Sequence, residues 1–266
     1  MKDAELELLG DVPRDVVVIE RAFAAGSRYP THHHQRGQLA FARQGSISVM
    51  TRFGHWLVPP GRAVWVPAGI EHEMQMLGPV VMLNTFVSED AADRVGLATH
   101  CQVCAISPLL YQLLLQAVEL PLLYPLEGRC HYLMGLLLTE ISMATVLPLN
   151  APLPMHSGLA NLCQSLLATP TLQMDTDAMA ARMAMSRSTF TRFFRKETGI
   201  SYMQWRQQAC LLAAIRRLEA GQSVTLVALE LGYSSPSAFT ALFRKTLGVS
   251  PQAYVRMQAD QGAPPG

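Results

Sequence analysis

Charge is what this sequence has least of. Only 15% of its 266 residues are Asp, Glu, Lys or Arg, against roughly 25% in an average soluble domain. The formal net charge is +1, too small to mark a protein that coats nucleic acid by charge alone. Long hydrophobic runs are missing as well. Val95–Val118 and Ile141–Met174 hold no charged residue, but His100, Gln102, Pro108, Gln112 and Gln116 break the first, and Pro148, Asn150, Pro152, Pro154 and His156 break the second. Neither supplies the ~20 predominantly apolar residues of a spanning helix, so no membrane partner is expected. The opening MKDAELELLGD lacks the apolar stretch of a signal peptide. Five cysteines, odd in number and irregular in spacing, argue against a disulfide framework and for reduced thiols in a cytoplasm. Cys101 and Cys104 form a C-x-x-C with no second pair to complete a zinc site, so two buried thiols is the expectation.

What is present is apolar substance. Half of the residues are hydrophobic, enough for a sizeable core, and the length accommodates two domains. The small net charge also divides unevenly. Residues 1–155 carry 10 basic and 14 acidic side chains, a balance of −4, while residues 156–266 carry 11 and 6, a balance of +5. Opposed halves of this kind point to a C-terminal half that faces nucleic acid.

From Val16 to about Val87 short apolar runs (VVVIE, QLAFARQG, ISVMT, AVWVPAG, VVMLNTFV) alternate with Gly and Pro, which reads as a compact all-β unit. After Pro108 the Leu-rich stretches LLYQLLLQAVEL and HYLMGLLLTEISMATVL have helical length and composition. They are apolar over more than one face, so each is expected to pack on two surfaces, such as the β unit and a partner subunit. Pro148, Pro152 and Pro154 mark a linker. Short helices separated by polar turns fill residues 157–257. The expected organisation is a multidomain α+β chain: a β-barrel over 1–105, a helical dimerisation and linker region over 106–156, an all-α domain over 157–257 and a flexible tail over 258–266.

The C-terminal half contains a repeat. At an offset of 49, Phe190, Phe194, Arg195, Lys196, Gly199 and Ser201 match Phe239, Phe243, Arg244, Lys245, Gly248 and Ser250. Upstream, Ala180-x3-Ala184-Met185-Ser186 matches Ala228-x3-Gly232-Tyr233-Ser234 at an offset of 48, so the second turn holds one extra residue. Each copy reads as a short helix with a small residue for close approach, a turn, and a Ser that caps a second helix. Phe at i and i+4 anchors that second helix. This is a helix-turn-helix, whose second helix enters the DNA major groove. A merely structural helical repeat accounts poorly for Arg-Lys at the same place in both copies and for Ser/Thr-rich helix starts.

On these motifs residues 157–257 resemble the paired helix-turn-helix domain of the AraC/XylS family of bacterial transcription regulators. VALELGYSSPSAFTALFRKTLGVSPQAYVR follows that family's signature along its whole length, and MQWRQQAC and GYSSPSAF resemble one subgroup of it. The resemblance implies base-facing positions at Ser188, Thr191 and Arg192 with Arg187 close by, and at Pro236, Ser237, Thr240 and Ala241 in the second copy. Where other members carry Arg or Gln, Ala241 offers only apolar contact, so direct readout falls more on the first helix. Lys196, Arg244, Lys245 and helix-start hydroxyls such as Ser235 are the expected phosphate contacts, which position without specifying. Cys210 stands where that subgroup often has Arg, which removes one expected phosphate contact.

The N-terminal half carries a second spaced pattern, Gly26-x5-His32-x-His34-x3-Gln38-x6-Gly45 followed by Gly61-x5-Pro67-x-Gly69-x2-His72. It resembles the two motifs of the cupin superfamily, small barrels with a ligand-sized lumen. Gln38 stands where a Glu is usual and Met76 where an Asn is common. Equal parity along a strand puts His32, His34 and Gln38 on one face, with His33 outward and His72 joining from the other motif. Two readings stay open. In one the barrel senses a small effector, and His32, His34, Gln38 and His72 hydrogen-bond it or hold a metal that does. In the other the same four residues bind a divalent metal that performs catalysis; loss of the carboxylate weakens a hard cation without excluding it. Trp65 and Phe41 are either pocket aromatics or core.

The whole chain thus resembles a regulator with a sensing barrel in front and a double-stranded-DNA reader behind. The expected partners are a small-molecule effector, RNA polymerase and a second copy of the chain. A cupin metalloenzyme with an accessory helical domain is the alternative.

Overall fold

The computed structural model describes residue 9 and residues 11–262, with side chains to residue 256. Contacts divide it into two compact units, one of Met1–Thr51 with Trp56–Leu147 and the other of Arg52–His55 with Pro148–Gly266.

The first unit is built on two antiparallel sheets rather than one closed cylinder. Its strands are β1 (Val16–Phe23), β2 (Arg28–His32), β3 (Gly37–Gln44), β4 (Ile47–Thr51), β5 (Gly54–Val58), β6 (Arg62–Val66), β7 (His72–Met76), β8 (Val80–Val87), β9 (Gln102–Ala105) and β10 (Val146–Leu147). One sheet runs β1-β8-β3-β6-β9-β10, and the other contains β5-β4-β7-β2 in that order. Three helices accompany them: α1 (Glu89–Arg94), α2 (Pro108–Val118) and α3 (Arg129–Ser142).

Strand alternation decides what each face of the larger sheet does. Leu39, Phe41, Ala63, Trp65, Leu83 and Val87 form one core cluster with Leu110, Leu114, Leu133, Leu137 and Ile141 of α2 and α3. Trp65 and Phe41 are therefore core on the helix-covered side and not pocket aromatics. Trp65 is fixed there by its Nε1–H, which donates to the Ala98 carbonyl at 2.7 Å. The opposite parity, Gln38, Ala40 and Ala42 on β3 and Met82, Asn84 and Phe86 on β8, faces away from the helices. Gly37 is required beside this core, since a Cβ there would lie 2.2 Å from the Trp65 ring.

The helical region expected over 106–156 is divided by the structure. Helices α2 and α3 close the apolar face of the first unit, and the unit boundary falls at Leu147/Pro148, within the proline segment.

The second unit contains β11 (Asn150–Pro152) and the helices α4 (Ser157–Ala168), α5 (Thr176–Arg182), α6 (Arg187–Thr198), α7 (Tyr202–Glu219), α8 (Val224–Glu230), α9 (Pro236–Leu247) and α10 (Pro251–Gly262). Leu153 N–H donates to the Phe53 carbonyl at 2.9 Å, and Trp205 Nε1–H donates to the Pro152 carbonyl at 2.7 Å. Five residues of the expected tail are thus helical, while residues 263–266 lie outside the described residues.

The repeat is visible in the packing. Phe190 and Phe194 of α6 stand 5.6 Å apart, and Phe239 and Phe243 of α9 stand 5.5 Å apart. Trp205 meets Phe194 at 5.9 Å where Tyr254 meets Phe243 at 5.6 Å. All four Phe rings are fully buried. Among the described residues no helix is long and apolar enough to cross a membrane.

Candidate functional site

The pocket of the first unit is assembled from three local decisions. Strand β2 ends at His32, which pairs directly with His72 at the start of β7. His34 is not on that strand; it lies in the connection to β3, where its carbonyl accepts from Gly69 N–H at 2.9 Å. Strand parity therefore placed Gln38 correctly on an inward position of β3, but loop geometry brings in His34. His33 is exposed.

The three rings converge. Centroids are 4.4 Å apart for His32 and His72, 4.8 Å for His32 and His34, and 5.3 Å for His34 and His72. One nitrogen of each lies within 4.8 Å of the others. His32 Nδ1 sits 2.7 Å from the Pro30 carbonyl and His72 Nδ1 sits 2.8 Å from the Ile70 carbonyl. A carbonyl can only accept, so Nδ1 carries the proton in both rings and the lone pair is on Nε2. Burial lowers the His34 pKa to about 3, with the neighbouring His32 and His72 adding to it. Burial also lowers His72 to about 4, and here the backbone bond to Ile70 pulls the other way.

Gln38 is 4% exposed, and its Nε2 donates to Asn84 Oδ1 at 2.7 Å. That bond turns Oε1 away from Asn84. The Gln38 side chain lies close enough to favour a proton on His34, yet not in hydrogen-bond geometry with it. Gln38 Oε1, His34 Nε2 and His72 Nε2 are buried with no hydrogen-bond partner among the described residues. Unpaired buried polar atoms are rare and costly, and the lone pairs of His32 Nε2, His72 Nε2 and Gln38 Oε1, with the His34 ring beside them, fit a divalent cation. Beside them is a small open pocket, which His32, His34 and Gln38 line together with Arg21, Phe23, Tyr29, Met74, Met82 and Asn84. Asn84 was legible only as a lone amide within the apolar run VVMLNTFV. Arg21, Phe23 and Tyr29 gave no signal in the sequence.

Cys101 and Cys104 are both buried, and burial pushes their thiols up to about 12 and about 11. Such thiols are inert toward metal and redox chemistry near neutral pH.

In the second unit each reading helix is framed in the same way. The Ser186 hydroxyl accepts from Thr189 N–H at 3.2 Å and the Ser235 hydroxyl from Ala238 N–H at 3.1 Å. Gly199 and Gly248 end the helices in the left-handed region, at φ 77° and 82°. With the Phe stripe buried, Arg187, Ser188, Thr191, Arg192 and Lys196 of α6 are exposed together. On α9 Pro236, Ser237, Ala241, Arg244 and Lys245 are exposed, while Ser235 and Thr240 are half-buried. Arg187 Nη1 pairs with Asp177 Oδ2 at 2.7 Å, and Thr191 Oγ1 donates to the Ser188 carbonyl at 3.0 Å.

The linking helix α7 is about 27 Å long at 1.5 Å per residue. Its Arg206 is taken up structurally, donating to the Met174 carbonyl and lying over the Tyr202 ring at 5.8 Å. Cys210 is fully buried, so its position faces the core, and the expected loss of a phosphate contact there does not apply.

Comparison with known proteins matches both domains. Residues 16–115 match the AraC-like ligand binding domain, and residues 179–257 match the helix-turn-helix domain. The chain is 33% identical over 226 residues to the HTH-type transcriptional regulator NimR of Escherichia coli (strain K12), covering 85% of this chain and 82% of that one. The arabinose operon regulatory protein of the same strain is 27% identical over 139 residues, covering 48% and 46%. Among solved structures, the DNA-binding domain of the global transcriptional factor AdpA in complex with a target DNA is 39% identical, covering 40% of this chain and 96% of that one at a TM-score of 0.38. These relatives are regulators, and the metalloenzyme alternative gives way to them. Its ligand-binding and helix-turn-helix domains and its likeness to NimR show that the chain belongs to the AraC family of DNA-binding transcription regulators.

Proposed function

We propose that this regulator works in the cytoplasm by coupling occupancy of the histidine pocket to the engagement of two reading helices on double-stranded DNA. Helices α6 and α9 enter successive major-groove segments about one helical turn apart. Arg192, Ser188 and Thr191, with Arg187, read base edges from α6. Pro236, Ser237 and Thr240 give α9 a mostly apolar and hydroxyl reading surface. Lys196, Arg244, Lys245 and Ser235 hold phosphates. The observation that carries this reading is the duplicated, identically capped helix with its exposed Arg-Lys pair.

A small-molecule effector occupies the pocket against His32, His34, Gln38 and His72. It favours one arrangement of the chain, which alters DNA engagement or contact with RNA polymerase. Only its difference in affinity between arrangements shifts that balance. If a divalent ion is resident, the three imidazoles and the Gln38 amide oxygen would hold it, and it supplies open coordination positions for donor atoms of the effector. Self-association is supported by Leu122, Leu123, Leu126, Tyr132, Leu136 and Met143, all exposed around α2 and α3.

Fluorescence anisotropy on sequences selected by the protein tests the DNA reading. Arg192→Ala is expected to relax discrimination at one base position by about 1–3 kcal/mol. Lys245→Ala is expected to weaken all sequences alike and to lower the salt slope by about one. Equal loss on every sequence for Arg192→Ala would remove it as a base reader.

A further inference from the structure

The pocket presents an unusual balance of donors and acceptors. His32 and His72 spend their ring N–H groups on the Pro30 and Ile70 carbonyls. Gln38 spends one of its amide N–H groups on Asn84. Lone pairs therefore face the pocket from Nε2 of His32 and His72 and from Gln38 Oε1, and the neutral His34 ring beside them offers one more when its other nitrogen carries the proton. A neutral organic molecule would need several N–H or O–H groups aimed at one point to satisfy them. A single divalent cation does so at once, and three imidazoles with an amide oxygen suit zinc, cobalt, nickel or copper better than magnesium or calcium.

The charge of such a site is then decided by what is absent from its lining. Among the described residues that line the pocket there is no Asp or Glu, and Arg21 is the charged side chain. Glu73 follows His72 on β7, and strand alternation turns it to the opposite face. At the position where a carboxylate would neutralise half of the cation's charge, the chain has Gln38. The bond to Asn84 holds its amide with the oxygen inward. All four donors are neutral, so a bound ion keeps its full double charge inside a pocket with apolar walls of Phe23, Met74 and Met82. Coulomb attraction in such surroundings is several-fold stronger than in water.

We infer that the pocket takes a small carboxylate as its ligand through a late first-row divalent cation, and that the neutral Gln38 amide is what leaves the cation its charge for that anion. This deepens the sensing role proposed above and rests on it for the regulatory consequence, though not for the binding itself. The carboxylate oxygen would replace a water on the ion.

The test uses the full chain, stripped of metal and titrated with Co²⁺, whose visible ligand-field bands report its coordination. One equivalent is expected to bind, and His32→Ala is expected to abolish the bands. Acetate is then expected to change the bands saturably, while acetamide, of the same shape but neutral, has no effect. Gln38→Glu is expected to keep the ion and to weaken acetate by about tenfold or more, because it removes one unit of net charge. Absence of Co²⁺ binding, equal effects of acetate and acetamide, or undiminished acetate binding in Gln38→Glu would each overturn the inference. If Gln38→Glu does not fold, the acetate–acetamide comparison on the unchanged chain decides. A reporter under control of the regulator separates the two levels. If no ion binds yet His32→Ala abolishes regulation, this inference fails and the sensing role stands. If ion and acetate bind as expected yet His32→Ala leaves regulation unchanged, the sensing role fails and the anion site stands.

Discussion

Ala184 holds φ at 53° in the turn between α5 and α6, where the second copy of the repeat has Gly232 at φ 78°. The fold demands the same left-handed turn twice, and only the second copy meets it with the residue that adopts it freely. Ala184→Gly is expected to stabilise the helical unit by roughly 0.5–1 kcal/mol, since relief of the left-handed strain outweighs the added freedom of the unfolded chain. Gly232→Ala acts in the opposite direction, and its Cβ would also stand 2.9 Å from Thr171 Oγ1. Chemical denaturation of the two variants checks both signs. Buried His72 and half-buried His34 and His55 set the response to acid. His34, His72 and His55 have pKa values lowered to about 3, 4 and 4, chiefly by burial. The unfolded chain binds protons at these sites below about pH 6.5, where the folded chain does not. Their contribution to stability is complete above that pH and is lost as pH falls toward 4. Denaturation midpoints of the metal-free protein are therefore expected to be lower at pH 5 than at pH 7.

At the scale of the element, each reading helix is fixed at both ends by side chains the sequence displays. Serine accepts at the N-terminus of α6 and α9, glycine closes the C-terminus, and Ser201 with Gln204 forms a complete capping box at the start of α7. Ser186→Ala is expected to cost about 1 kcal/mol of stability. Its first turn carries Ser188, so DNA affinity should fall more than helix content does; circular dichroism beside anisotropy measures the two. These helices were legible because capping and Phe spacing are local. His34 was legible as a pocket residue for the wrong reason, because a strand was expected to run through it. The chain leaves β2 at His32, and the Gly69–His34 backbone bond decides where His34 points. Cys210 misled in the opposite direction, because which side of α7 faces the core depends on packing that its own residues do not announce.

At the scale of the molecule, the Leu-rich helices are the informative case. Their periodicity is apolar over more than one face; among the described residues they pack on the larger sheet and on each other, and part of their apolar surface stays exposed. Tyr132 is 74% exposed and Leu136 43% exposed, one helical turn apart on α3. Exposed apolar side chains of this sort are what the proposed self-association would bury. Sedimentation analysis of Leu136→Glu combined with Tyr132→Glu is expected to show monomer where the unchanged chain shows dimer. If both sediment alike, α3 is not the association face.

The sequence by itself determined the two-part plan, the duplicated reader and the three histidines and glutamine that come together. Each is carried by local spacing: a repeat at a fixed offset, capping residues beside hydrophobic stripes, and histidines bracketed by turn glycines. Tertiary structure alone decided what those residues face. Two sheets in register sent Trp65 and Phe41 to the helix-covered core and brought Asn84 beside Gln38, 46 positions apart in the chain. No local pattern encodes that pairing, because it follows from which strands become neighbours. That long-range pairing leaves the Gln38 oxygen without a hydrogen-bond partner beside the histidine cluster.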